Sequence, residues 1–164
     1  MNKAKLKSYA PNARRDFIQM IRQRADLLGL NSQSAVTVEQ KGDYSYINGR
    51  EYPKNYAQYH QKVAEKIRVE GLESFIERIA YSWFNRIAAL RFMEVNGFLS
   101  HGFRVLSNSD ATKNEPEILR HAAEIDLPGI DKNKIIELKL AGNKDAELYK
   151  ILLIAQCNEL YRAM

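Results

Sequence analysis

An acidic residue, a gap and then Glu-x-Lys is a spacing with chemical content, and the chain carries it as Asp126 or Asp131 followed by Glu137-Leu138-Lys139. On a strand, alternation would set Glu137 and Lys139 on one face, where two carboxylates and a lysine can surround Mg²⁺, as in metal-dependent nucleases. The segment Ile135-Ile136-Glu137-Leu138-Lys139-Leu140 is apolar enough for a strand, but its flanks read as helix, on which Glu and Lys two apart diverge. A degenerate PD-ExK-like, Mg-dependent nuclease is therefore the lesser alternative, and no catalytic residue is assigned outside Asp126, Asp131, Glu137 and Lys139.

Other chemistries lack their parts. The eight glycines never fall two apart, which excludes G-x-G loops and the P-loop. His60, His101 and His121 have no second His or Cys at ligand spacing, so no metal site is assigned. Cys157, the single cysteine, sits among Leu153, Ile154 and Leu160 and reads as a buried thiol.

Charge is more informative. The chain has 164 residues and a net charge of +5, and residues 1–30 hold all of that excess, with seven basic side chains against two acidic ones. Such a concentration suits a nucleic-acid contact or an acidic partner. The candidates for DNA phosphates are Lys3, Lys5, Lys7, Arg14, Arg15 and Arg22. A second aromatic and basic stretch, Tyr44, Tyr46, Tyr52, Tyr56 and Tyr59 with Lys41, Arg50 and Lys54, could stack on bases, or could lid a helical core with its hydroxyls outward.

These residues need elements to place them. Ile76–Leu99 is apolar on more than one side and stops at Asn96-Gly97, which predicts a central buried helix over 76–96. Within it Arg91 and Glu94, three apart, are placed to pair on its one wet edge, and the roles of Arg86 and Arg91 stay open between a structural ion pair and a phosphate contact. Pro11 reads as the first turn of a helix whose stripe is Phe17, Met20, Ile21, Arg24, Leu27 and Leu28. Lys41-Gly42-Asp43 and Asn48-Gly49 between β-prone residues predict a small hairpin or meander near 36–52. A helix over about 54–70 follows, ended by Gly71, and beyond the central helix 106–114 reads as a mobile polar loop. Pro116 opens a short helix through Ile125, Asp131 caps a helix over Lys132–Ala141, and Asp145 begins a last helix still periodic at Met164. The expected fold is mostly α, a multi-helix bundle in one domain over 1–164, truncated from something larger. No run spans a bilayer and no signal core follows the basic N-terminus, so no membrane contact and a cytoplasmic location are expected.

Four blocks, MNKAKLKSYAPNARRDFI, AYSWFNRIAALRFMEV, HAAEIDLPGIDKNKIIELKL and DAELYKILLIAQCNEL, resemble in order the N-terminal region of the PglX family, the large adenine-specific DNA methyltransferases of BREX phage defence. The resemblance implies S-adenosylmethionine as the parent's cofactor and a following catalytic domain with an Asn-Pro-Pro-Tyr type motif. Pro11, Pro53, Pro116 and Pro128 are never adjacent, so that motif is not in this chain, and neither catalytic nor cofactor-binding residues carry over. What the resemblance implies here is a helical scaffold or interaction module that packs on the methyltransferase domain of the same chain, with double-stranded DNA or other BREX proteins as further partners.

Overall fold

The computed structural model describes residues 3–31 and 36–163, with the side chains of 3–8, 162 and 163 outside the described set, and with them part of the open-ended periodicity read at 160–164. The fold is mostly α, with one small antiparallel sheet, as expected from the sequence. In chain order the elements are α1 (Lys3–Leu27), β1 (Val38–Lys41), β2 (Tyr44–Ile47), β3 (Arg50–Pro53), α2 (Tyr56–Glu70), α3 (Leu72–Asn96), α4 (Glu117–Arg120), α5 (Lys132–Ala141) and α6 (Asp145–Ala163). The chain divides into two compact units, Met1–Phe84 and Asn85–Met164. No described helix is long and apolar enough to cross a membrane.

In the first unit α1 begins eight residues before Pro11, which lies inside the helix instead of opening it. The fixed φ of proline is already helical, so a helix can continue through it with the loss of one backbone hydrogen bond. Its inward residues include two small ones the apolar stripe did not contain, the buried Ala13 and Ala25, while Met20 and Leu27 are exposed. Ala25, Leu30, Ile67 and Phe75 form a buried cluster, with Leu28, Val63, Ala64, Leu72 and Ile79 packed against it.

The hairpin signal resolves into a three-stranded meander, β1-β2-β3. Its second turn has Asn48 at φ 50° and Gly49 at φ 72°, the two positive values a type I′ turn demands. On β2 the buried residues are Ser45 and Ile47, two apart and thus on one face. The Ser45 hydroxyl donates to the Lys54 carbonyl at 2.7 Å, so its burial leaves nothing unsatisfied. On the edge strand β1, Glu39 and Lys41 form an ion pair at 2.7 Å.

The long helix α3 is buried along one stripe and not all round. Ile76, Ala80, Leu90 and Glu94 are buried, whereas Tyr81, Phe92 and Val95 are exposed. Periodicity shows which positions are apolar, but not which of them the described residues themselves cover.

In the second unit, α4 and α5 both pack on α6. Asp131 caps α5 as expected, accepting from the N–H groups of Asn133 at 2.9 Å and Lys134 at 3.3 Å. Gly142 closes that helix in the left-handed conformation. The helix expected from Pro116 to Ile125 is only the four residues of α4, followed by turns. Ile118, Leu119, Ala122 and Ile125 are nevertheless all buried, because turns can bury an apolar series as a helix does.

The loop over 106–114, expected to be mobile, is held by two carboxylates. Glu94 accepts from the N–H groups of Val105 at 2.8 Å and Leu106 at 2.7 Å and from the Ser107 hydroxyl at 3.0 Å. Glu117 accepts from the N–H groups of Arg104 at 2.9 Å and Ser109 at 2.6 Å. Arg91 does pair with Glu94, but the carboxylate is buried while the guanidinium stays exposed, so the pair is not the wet edge the helix pattern suggested.

Candidate nucleic-acid interface

The cations of α1 come from a stretch in which Arg14, Arg15 and Arg22 all reach solvent. Two of them meet carboxylates of α3. Arg22 makes a two-pronged contact with Glu73, both bonds 2.6 Å, and Arg14 approaches Glu77 at 3.5 Å. The hydrogen bond and charge of Glu73 raise the Arg22 pKa, and the same bond holds the Glu73 carboxyl below its usual range. Arg15 differs, bonding the Asn12 side-chain oxygen one turn back and facing no carboxylate among the described residues. The side chains of Lys3, Lys5 and Lys7 lie outside the described residues.

The cation count over residues 1–30 contains no sign of Glu73 or Glu77, since these partners stand 51 and 63 residues away. The sequence does carry a signal for them: the first turns of α3 read Leu72-Glu73-Ser74-Phe75-Ile76-Glu77, two acids one helical turn apart, opposite in sign to the face of α1.

Part of the tyrosine set is brought together. Tyr52 stacks on Tyr56 at 5.2 Å between ring centres, Tyr56 meets Tyr59 edge-on at 6.5 Å, and the Arg24 guanidinium lies over Tyr52 at 5.8 Å. Tyr46 donates its hydroxyl to Glu51 at 3.1 Å, a bond that raises its pKa, and Lys41 sits over its ring. Tyr44 and Tyr59 remain half exposed, so they are the members of the set with ring surface open to a ligand. Elsewhere in the first unit a cleft of about 1240 Å³ is bordered by Leu30, Val38, Gln40, His60, Ile67 and Arg68. His60 donates from Nε2 to the Leu28 carbonyl at 2.8 Å, which is what fixes its ring there.

The nuclease constellation is not assembled. Glu137 and Lys139 lie on α5, a helix, and diverge. Lys139 donates to the Leu119 carbonyl at 2.6 Å, Glu137 faces Lys134 at 3.4 Å, Asp131 is occupied as the helix cap, and Asp126 pairs with Lys132 at 3.2 Å. No three His, Cys, Asp or Glu side chains stand together as a metal site among the described residues. Cys157 is buried, which pushes its thiol pKa up, while the nearby Arg86 pulls the other way.

A protein of this kind, helical and with one basic helix partly matched by its own acids, is defined further by its relatives. No family model matches the chain. Two proteins do: the adenine-specific methyltransferase BrxX of Escherichia coli O9:H4 (strain HS), 37% identical over 172 positions, covers 100% of this chain and 14% of its own length. The adenine-specific methyltransferase PglX of Lacticaseibacillus casei (strain Zhang) is 36% identical over 179 positions, covering 98% of this chain and 15% of its own length. The resemblance to the PglX family is thereby shown, and the matches are consistent with the N-terminal region of a PglX-family protein. The chain spans about one seventh of the length of the relatives it matches.

Proposed function

We propose that residues 1–164 are the helical N-terminal module of an adenine-specific DNA methyltransferase of BREX phage defence, and that the module itself performs no chemistry. The observation that carries this reading is the end-to-end match to two adenine-specific methyltransferases, of which this chain corresponds to a small share. S-adenosylmethionine binding and methyl transfer then belong to the rest of the parent polypeptide. The module's part is to hold that polypeptide and to rest cations, Arg15 first, on DNA phosphates without sequence choice. The placement of Glu137 and Lys139 on a helix, Asp131 at its cap and Asp126 in an ion pair with Lys132 supports a non-catalytic role over a nuclease.

Incubating the full-length parent with DNA and labelled S-adenosylmethionine tests this. The reading expects N6-methyladenine from the parent and unchanged product chemistry when Glu137 and Lys139 are replaced together. Mg²⁺-dependent nicking that vanishes in Glu137→Ala would instead establish the nuclease.

A further inference from the structure

Along the second half of α3 the sequence pattern and the burial disagree. Ala88, Phe92 and Val95 follow at steps of four and three on one side of the helix, and Phe98 joins them just past its end, its ring 5.9 Å from that of Phe92. Phe92, Val95 and Phe98 are 61%, 54% and 59% exposed, although Leu90 and Glu94 on the other side are buried. A helix apolar on both sides is the pattern of one covered on both sides. At the end of the helix the Asn96 side chain donates to the Phe92 carbonyl at 2.7 Å.

The size of the patch selects its occupant. Two phenyl rings and a valine, already partly covered, offer roughly 400 Å² at most. A stable complex between separate copies needs about 800 Å² per partner. A covalently linked segment needs far less, since its effective concentration is on the order of millimolar. The relatives supply such a segment: this chain corresponds to only 14% and 15% of their lengths.

We propose that Phe92, Val95 and Phe98 form the surface on which a later part of the same polypeptide docks through apolar side chains. This rests on the chain being one part of a larger methyltransferase. In the full-length parent, a photo-cross-linking benzoylphenylalanine in place of Phe98 is expected to cross-link within the chain, to a peptide beyond residue 164. Val95→Cys is expected to react with a maleimide at least tenfold more slowly than Lys150→Cys, which sits at an exposed position of α6. Equal labelling rates, or a cross-link only to a second copy, would overturn the docking surface. Adenine methylation is measured on the same preparations. A parent that methylates yet labels freely at position 95 sinks the docking surface alone, and a protected patch on a parent without methylation sinks the functional reading alone.

Discussion

The Glu94 carboxylate accepts the backbone N–H of Val105 at 2.8 Å, eleven residues further along the chain. With the second bond from Leu106 and the third from Ser107, one side chain of α3 substitutes for the backbone partners that a loop otherwise lacks. Glu94→Ala strands these donors in a buried place and is expected to cost about 3 kcal/mol, read as a lowered denaturant midpoint. Arg91→Ala leaves the three donors satisfied and is expected to cost clearly less. Equal losses in the two variants would show that the ion pair, and not the loop's N–H groups, is what matters.

Glu117 has a carboxyl pKa near 2. Burial is the largest influence on it and acts upward, but is outweighed by the hydrogen bonds from Ser109, the N–H of Arg104 and the Arg104 charge. The folded value lies below the ordinary 4.5, so the unfolded chain binds more protons between the two and the stabilisation is complete only above that range. It is lost as pH falls from about 4.5 to about 2. The expected size is on the order of 2 kcal/mol after solvent screening. Glu117→Gln should flatten stability against pH in that window, and an unchanged slope would refute the assignment.

Gly29 combines two restrictions: φ is 62°, and a Cβ there would stand 2.3 Å from Cγ2 of Val36. Gly29→Ala is expected to lose about 1–2 kcal/mol from the backbone alone, and more from the collision. Adding Val36→Ala should restore the collision share only. Full rescue in the double variant would mean that the left-handed conformation costs nothing here.

If α1 rests on DNA, the pairing with α3 ranks its cations. Arg15→Gln should lower the slope of log affinity against log salt by about one, in anisotropy titrations with duplex DNA. Arg22→Gln should change it less because Glu73 already engages that guanidinium, and Glu73→Gln should tighten binding. Binding indifferent to all three would move the contact away from α1.

Local signals in the sequence carried much of the fold. Asn48-Gly49 marked its turn because both residues tolerate positive φ, and Asp131 marked the start of α5 because its short carboxylate reaches the N–H groups two and three residues on. Apart from the start of α1 at Lys3 and the shortness of α4, what failed depended on distant residues. Nothing near Leu106-Ser107-Asn108 announces that Glu94 and Glu117 will hold it, and nothing near Arg22 announces Glu73. The apolar girth of α3 was legible, but its covering was not, since a side chain's hydropathy is its own and its burial belongs to a neighbour. The Glu-Leu-Lys spacing carried only a lesser alternative for a local reason: its chemistry needs a strand, and Asp131 marks the segment as the helix it is.

The Glu39–Lys41 pair on β1 does more than join two side chains. The strand has one edge without a partner in the sheet, and a row of free backbone groups there is a template for another chain. Two opposite charges on a four-residue strand keep that edge hydrated and short of the apolar, uncharged run from which fibrils grow. The pair works as a guard on the meander's open edge, and a chain neutral at both positions would meet its hazard in the test tube, as turbidity, rather than in its unfolding curve.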